Sequence, residues 1–297
     1  MTPTDVTIDG RRVRLSNLDQ VLYPETGFSK AGIVDYYARI GEVMVPHLRD
    51  RAVTMVRYPD GVEGGSFFEK RCPGHAPSWL RQATVDDLTQ CVVDDLPSLV
   101  WMANMAALEL HTLQATASHP DRPTAMVFDL DPGAPAGILD CCRVGLELRG
   151  LLDELGLASV VKTSGSKGLH LAVPLNTDVV TADETKSFAL ALGRLLGKRD
   201  PERVTTIMKK ENRRGKVFVD WSQNDRHKTT VCAYSLRARP RPTVSAPVTW
   251  DEVAAALDAG DEDALAFETD DVLARVEADG DLYADNLGLH QELPALG

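Results

Sequence analysis

Nothing in this 297-residue chain is long and apolar enough to cross a bilayer, and its start carries no charged-then-apolar signal segment, so the expected compartment is the cytoplasm. The five cysteines, Cys72, Cys91, Cys141, Cys142 and Cys232, are odd in number and irregular in spacing. That argues against a disulfide framework and predicts reduced, packed thiols. Cys72-Pro73-Gly74-His75 could be half a zinc site, but no second Cys/His pair stands at ligand spacing nearby. Internal repeats and low-complexity tracts are absent, which excludes a solenoid. Also missing is the Gly-x-x-x-x-Gly-Lys-Ser/Thr spacing of a Walker A loop.

An excess of positive charge is lacking as well: the formal net charge is −12, at first sight a poor match to nucleic acid. The charge is unevenly spread, however. From Asp251 to Gly297 there are 14 acidic residues and one basic residue, Arg275. Arg199 to Thr243, by contrast, holds 12 Lys/Arg against five Asp/Glu. Local charge governs phosphate contact, so a basic segment beside an acidic end stays compatible with a polyanionic partner. Taken alone, a solvated face is the better reading of either run.

What the chain does have is a hydrophobic content of 43%, enough for a sizeable core, and a regular second half. A strand pair is expected at Val6–Ile8 and Val13–Leu15 around Asp9-Gly10. Ser29 is a candidate cap for a helix carrying Ile33, Tyr36, Tyr37, Ile40 and Val43, closed by Pro46. Ala52 to Arg57 reads as a strand, and Trp101 to Leu113 as a helix bearing Asn104, Glu109 and His111. Further helices are expected over 136–155, 181–196, 250–259 and 262–278. Strands are expected over 159–163, 169–174, 217–219 and 229–234. Arg239-Pro240-Arg241-Pro242 reads as an extended, linker-like stretch.

Two apolar strands run into aspartate: Ala125-Met126-Val127-Phe128-Asp129-Leu130-Asp131-Pro132-Gly133 and Lys216-Val217-Phe218-Val219-Asp220-Trp221. Residues i and i+2 of a strand share a face, so Asp129 and Asp131 present their carboxylates together, ~6–7 Å apart along the backbone. Like charges that close repel unless a cation intervenes. Hard divalent ions such as Mg²⁺ or Mn²⁺ take such oxygens, and two of them about 3.5–4 Å apart can clamp an in-line phosphoryl displacement. Asp220 could supply a third arm. Turn-forming aspartates before Pro132-Gly133 are the plainer alternative.

Lys162-Thr163-Ser164-Gly165-Ser166-Lys167-Gly168-Leu169-His170 concentrates two glycines, three hydroxyls, two lysines and a histidine. Gly165 and Gly168 let backbone N–H groups turn toward an anion, while Ser164, Ser166 and Lys167 add donors and charge. His170 opens an apolar strand and can face the same place. The set suits a nucleoside triphosphate, although a Gly-rich hairpin with a core histidine would look the same.

Phe-Asp-Leu-Asp-Pro-Gly at 128–133, Thr-Ser-Gly-Ser-Lys-Gly-Leu-His at 163–170 and Phe-Val-Asp-Trp-Ser-Gln-Asn at 218–224 resemble, in order, the three motifs of bacterial primase-polymerases. The likeness is to the polymerase domain of bacterial ligase D, in the archaeo-eukaryotic primase superfamily, and runs from about Leu15 to Tyr283. It implies an α+β fold with mixed and antiparallel sheets, an RRM-like catalytic core over about 121–250 and an N-terminal module over about 1–120. Residues 251–297 would form an acidic helical segment. The implied activity is template-directed addition of NTPs or dNTPs to a primer 3′ end, with two Mn²⁺ or Mg²⁺ ions. Carried over by motif, Asp129, Asp131 and Asp220 would be catalytic metal ligands. Ser164, Lys167, His170, Arg237, Gln223 and Lys228 would hold the nucleotide. His111 and Arg213 would lie near the primer end. Phe67 and Phe68 would pack against the template, where stacking is sensible because every base has a π face, unless the pair is simply core.

Relatives that join broken ends carry two lysines that grip a downstream 5′-phosphate. Lys30 matches one; Gln20, in a segment with Asn17, stands at the other and lacks the charge. The stretch from Ala83 to Trp101 is shorter than the loop those relatives use to bridge ends. Both departures favour filling short gaps in excision repair over end joining. No Lys-x-Asp-Gly ligase motif occurs, so the expectation is a stand-alone polymerase or an excised domain, monomeric, nucleoid-associated, acting on gapped or primer-template DNA beside a separate DNA ligase. A primase that starts chains, an end-joining polymerase, or a silent DNA-binding module are the competing readings.

Overall fold

The computed structural model describes residues 3–295, which group into two compact units. The first takes the chain up to Ser118 and recovers Thr229–Ser245 and Phe267–Asp281. The second comprises His119–Lys228, Ala246–Ala266 and the chain from Leu282 onward. The stretch 251–297 is thus divided between them.

The first unit opens with an antiparallel hairpin, β1 (Thr4–Ile8) and β2 (Arg11–Leu15). Its tip, Asp9-Gly10, has positive φ at both residues (46° and 76°), the mirror-image turn whose twist matches flanking strands. A short pair, β3 (Val21–Tyr23) and β4 (Phe28–Ser29), leads into α1 (Lys30–Leu48). Then come β5 (Ala52–Arg57), β6 (Phe67–Glu69), β7 (Gln82–Val85), β8 (Leu88–Val92), α2 (Leu96–Asn104) and β9 (Ala107–Leu113). The second unit runs through β10 (Ala125–Pro132), α3 (Ile138–Glu154), β11 (Val160–Thr163), β12 (Leu169–Pro174), α4 (Ala182–Arg199), β13 (Val204–Thr205) and β14 (Val217–Asp220). The chain then alternates. β15 (Thr229–Val231) belongs to the first unit, β16 (Pro247–Val248) and α5 (Trp250–Ala259) to the second, α6 (Thr269–Asp279) to the first and α7 (Asp285–Gly288) to the second.

Helix α1 buries Ile33, Tyr36, Tyr37, Ile40 and Met44 completely, an apolar stripe at helical spacing; Val43 is only partly covered and Met44 takes its expected place. Buried Tyr36 and Tyr37 keep their hydroxyls satisfied by donating to the carbonyls of Tyr234 (2.8 Å) and Leu108 (2.7 Å). Pro46 does not close the helix, which runs on to Leu48. A proline in the last turn forfeits one hydrogen bond, and Arg49 N–H still reaches Val45 O at 2.9 Å.

The segment 101–113, expected as one helix, is not one. Helix α2 stops at Asn104, Ala106 takes a positive φ of 54°, and 107–113 is a strand. The sheet order β15-β9-β5-β8-β7, with β6 also on β5, explains the outcome. Pairing on both sides of β9 overrides the helical preference of Ala, Leu and Glu. The 83–101 stretch contains the β7–β8 hairpin, turning on Asp86 and Asp87, both at positive φ (50° and 61°).

Cysteine usage also departs from expectation. Cys72 and Cys91 form a disulfide with Cα atoms 4.8 Å apart, whereas Cys141, Cys142 and Cys232 are free and buried. Cys72 N–H donates to Thr89 O on β8 at 2.9 Å, and that pairing brings the two sulfurs together across 19 residues of sequence. Residues 239–242 are a tight return and not a linker: Leu236 and Val244 bridge across them, and Arg237 N–H donates to Thr243 O at 2.8 Å. The expected 262–278 helix is split into a 3₁₀ turn at Asp263–Leu265 and α6.

The second sheet has the order β13-β14-β10-β12-β11-β16, antiparallel throughout except for β13–β14. Leu130 of β10 is fully buried and points toward α3 at Gly145, so its neighbours Asp129 and Asp131 project from the opposite face. Among the described residues no helix is long and apolar enough to cross a membrane.

Candidate active site

The register of the second sheet lines up four polar side chains in one row. On β10, Asp129 pairs with His170 of β12 on one side and with Asp220 of β14 on the other, and His170 pairs in turn with Lys162 of β11. His170 Nε2 lies 3.3 Å from Asp129 Oδ1, and its Nδ1 lies 3.2 Å from Lys162 Nζ. Asp131 sits two residues along β10, opposite Phe218. Burial raises its pKa first, and the negative charges of Asp129 and Asp220 raise it further; Arg213 and Lys167 offset part of this. The carboxylates therefore repel one another, as a site shaped for cations should. Among the described residues no group of three His, Cys, Asp or Glu side chains is placed to hold a metal ion. The donors are nonetheless all hard oxygens, which suits a divalent ion that keeps ligand positions open for water and phosphate.

Each carboxylate has its own support. Asp220 accepts from Ser222 N–H (3.0 Å), from the Ser222 hydroxyl and from Gln223 Nε2 (3.0 Å), and Lys228 donates to the same Ser222 hydroxyl. Gln223 and Lys228, expected on the nucleotide, thus stand beside Asp220, Gln223 directly and Lys228 through Ser222. Arg213 stacks on Phe218, its guanidinium carbon 3.5 Å from the ring centre, and reaches Asp131 Oδ2 at 3.6 Å. Its backbone runs so close to Gly133 that a Cβ there would lie 2.0 Å from Arg213 O, which is why the turn after β10 needs glycine. Asn224, which the sequence reading passed over, completes β10 where β14 ends: its amide bonds both Val127 N–H (2.8 Å) and Val127 O (2.7 Å).

The 164–168 turn is built around Ser164. Its hydroxyl oxygen accepts from Ser166 N–H (3.2 Å) and Gly168 N–H (3.0 Å), and its own N–H donates to Gly168 O (2.8 Å). Gly165 supplies the positive φ of 65°. Gly168 is pressed against Leu130 O, where a Cβ would come within 2.0 Å. The turn therefore abuts β10 beside the aspartates and leaves Lys167 exposed.

The remaining expected residues lie in the first unit. Phe67 and Phe68 are 43% and 66% exposed on β6, which excludes a core role for the pair. Arg57 stacks on Phe67, its guanidinium carbon 5.1 Å from the ring centre, and pairs with Glu69 at 2.8 Å. Phe68 meets His111 edge-on with ring centres 6.2 Å apart. Buried Glu109 gathers the rest: it is hydrogen-bonded to His111 Nε2 (2.8 Å), accepts from Ala238 N–H (3.1 Å) and forms an ion pair with Arg237, whose Nε lies 3.1 Å away. Burial alone would raise its pKa, yet these donors hold it down at about 2. Its role escaped the sequence reading because that reading placed 109 on a helix. Lys30, Gln20 and Asn17 are drawn together by the backbone, Lys30 N–H donating to Gln20 O (2.8 Å) and Gln20 N–H to Asn17 O (3.1 Å). Burial and the charge of Arg57 both depress the Lys30 ammonium pKa. The Gln20 amide instead donates to Pro59 O at 2.6 Å.

Residues 29–283 match the family model of the LigD primase-polymerase domain. The multifunctional non-homologous end joining protein LigD of Mycolicibacterium smegmatis is 43% identical over 279 residues, covering 92% of this chain and 36% of that protein. The bifunctional LigD of Bacillus subtilis is 32% identical over 274 residues, covering 92% of this chain and 44% of that one. The chain thus spans well under half the length of these relatives. Among solved structures, the polymerase domain from Mycobacterium tuberculosis ligase D in complex with DNA superposes with a TM-score of 0.86 at 40% identity, covering 95% of this chain and 99% of that one. The α+β architecture with antiparallel and mixed sheets is the one that domain has. With family match, relatives and fold in agreement, the chain belongs to the LigD primase-polymerase domain family of metal-dependent, DNA-directed nucleotidyltransferases.

Proposed function

We propose that this chain adds nucleotides to a primer 3′ end on a DNA template at the Asp129–Asp131–Asp220 face of its second sheet. The observation that carries the reading is the register itself: Asp129 faces Asp220 across β10–β14, with Asp131 two residues along β10 and its pKa raised by burial and then by the other two carboxylates. Two Mn²⁺ or Mg²⁺ ions held there would supply activation of the primer hydroxyl and neutralisation of the pyrophosphate. The chain's own residues do the rest. Ser164 shapes the turn, Lys167 offers an exposed cation beside the carboxylates, and His170 a ring nitrogen. On the first unit, exposed Phe67 and Phe68 offer faces for template bases, and Glu109 holds Arg237 and His111 in place. An Asp129→Ala/Asp131→Ala double variant should lose primer extension by at least 10³-fold and lose calorimetric Mn²⁺ binding, while keeping its fold by circular dichroism. Extension surviving in that variant would refute the assignment.

The pathway reading follows the relatives named above: an end-joining polymerase working in the cytoplasm with a ligase. One observation favours gap filling as a second reading. The β7–β8 connection is a two-residue turn at Asp86-Asp87, and Gln20 is spent on Pro59, which leaves Lys30 as the cation for a downstream 5′-phosphate. Extension on short gaps and on broken ends, each with and without that phosphate and with rNTPs or dNTPs, separates the two readings. A 5′-phosphate effect that survives Lys30→Ala would remove Lys30 from either.

A further inference from the structure

The Cys72–Cys91 disulfide stands outside the function proposed above, and it takes up the cysteine of the Cys72-Pro73-Gly74-His75 half-site, so that motif serves a bridge and not zinc. Its place in the first sheet is informative. Strand β5 has two edges, and β9 occupies one of them along Val53 to Arg57. The other edge is shared end to end. β8 takes Ala52 and Val53, with Cys91 opposite Val53, and β6 takes Met55 to Arg57. Cys72 follows the last residue of β6 by three positions, so the disulfide closes the seam at which the two strands meet. β6 is three residues long and pairs with β5 and with no other strand among the described residues. It nonetheless carries Phe67 and Phe68 with their rings in solvent. A strand so short, with its aromatics uncovered, gains little burial to hold it in place.

We infer that the Cys72–Cys91 bridge is a redox-sensitive clasp on β6. Closed, it holds the phenylalanine pair in register on β5; opened by a dithiol reductant, it frees the pair and weakens the chain's hold on unpaired bases. The binding half rests on the reading of Phe67 and Phe68 as a face for template bases; the loosening of the strand does not. The exchange balances with the dithiol as sole co-reactant. One of its thiolates attacks Cys72 Sγ, since Cys72 is 7% exposed and Cys91 only 1%, and the S–S bond breaks to release the Cys91 thiolate. The second thiolate of the dithiol then attacks its own sulfur in the mixed disulfide and releases the Cys72 thiolate. The reductant leaves as a disulfide, having passed two electrons to the bridge and its two protons to Cys72 and Cys91. Lys70 and Arg71, both exposed, precede Cys72 and draw an anionic thiolate to this side. A disulfide of the same class runs the steps in reverse and closes the clasp. The Cys72 N–H bond to Thr89 O and the Arg57–Glu69 ion pair survive the opening and keep the loosening local.

The test compares the full chain oxidised, reduced with dithiothreitol, and reoxidised, beside Cys72→Ser/Cys91→Ser, which cannot close. Alkylation and peptide mass report the state of both cysteines in each sample. On reduction, amide hydrogen exchange over residues 67–72 should speed up by at least about 10-fold while the buried stripe of α1 keeps its protection. By fluorescence anisotropy, Kd for a primer-template with a single-stranded overhang should rise roughly 10-fold on reduction, match that of the serine variant, and return on reoxidation. Phe67→Ala/Phe68→Ala should bind weakly in both redox states and show no response. A bridge that dithiothreitol leaves intact in the folded protein would overturn the inference, as would exchange at 67–72 that is the same in both states. Protection lost evenly across the first unit would also overturn it, because that marks a bridge serving stability alone. So would an unchanged Kd in reduced protein whose phenylalanines are needed for binding. Failure of the template reading shows differently: oxidised Phe67→Ala/Phe68→Ala then binds as tightly as wild type, whatever the state of the bridge, and the exchange data decide the clasp.

Discussion

Replacing Glu109 by glutamine keeps the shape of the side chain and removes one charge from the centre of the first unit's polar network. The carboxylate is 10% exposed, so solvent screens it little, and its pKa falls from 4.5 to about 2 through His111, Arg237 and the Ala238 N–H. At 1.36 kcal/mol per pKa unit, that difference corresponds to about 3 kcal/mol at neutral pH. A carboxyl with a depressed folded-state pKa contributes stability that is fully present above its unfolded value and is lost as pH falls through its folded value. The gap between wild type and Glu109→Gln should therefore be about 3 kcal/mol at pH 7 and shrink to about 1 kcal/mol at pH 3. In thermal unfolding at pH 7, roughly 2 °C per kcal/mol makes the expected loss about 6 °C. Urea titrations of both proteins at pH 7, 5, 4 and 3, followed by tryptophan fluorescence, measure the gap directly. Equal midpoints at pH 7, or a gap that does not narrow toward pH 3, would refute the argument that the three donors act on an ionised Glu109.

Gly168→Ala should push the 164–168 turn off β10, because the new Cβ would sit 2.0 Å from Leu130 O; the expected cost is about 1–3 kcal/mol by denaturation together with loss of most primer extension. A Cys72→Ser/Cys91→Ser protein should lose about 3 kcal/mol for a loop of this length, checked by urea titration, and a reducing agent should shift the wild type by the same amount and leave the variant unmoved. Asp131 has a raised pKa, so its stabilising contribution is full only at low pH and is lost as pH rises through that value. Asp131→Asn should therefore raise the melting temperature slightly at pH 7 in chelator, and Mn²⁺ should then stabilise it less than wild type; a lower melting temperature in chelator would contradict this.

The carboxylate strands were legible because each is an apolar run ending in aspartate, and period-two alternation alone sends Leu130 inward and Asp129 and Asp131 outward. The 164–168 turn was legible for a similar local reason, its glycines and hydroxyls being adjacent in sequence. What stayed hidden depends on partners far along the chain. Glu109 reads as a helical residue until β5 and β15 are known to flank it. Its salt bridge to Arg237 joins residues that no spacing rule connects. The Cys72–Cys91 bridge follows from the Cys72–Thr89 backbone pairing, invisible in a count of five thiols. Gln223 and Lys228 are expected on the nucleotide by motif alone; their hydrogen bonds to Asp220 and to the Ser222 hydroxyl come from the 3₁₀ turn after β14, which the motif does not reveal.

The chain crosses from one unit to the other repeatedly, and that has a consequence for synthesis on the ribosome. The first unit lacks β15, the edge strand beside Glu109's own strand, until residue 231 is made, and lacks α6 until Asp279. Its first portion ends at Ser118, so that portion waits for roughly 160 further residues, on the order of 10–30 s at ordinary elongation rates. One edge of β9 has no partner until residue 231 is made, and α1 lacks its packing against α6 until Asp279, while the second unit's sheet is being laid down. The order of emergence thus makes the two units finish almost together, and a nascent chain halted anywhere before the last helices holds neither unit complete.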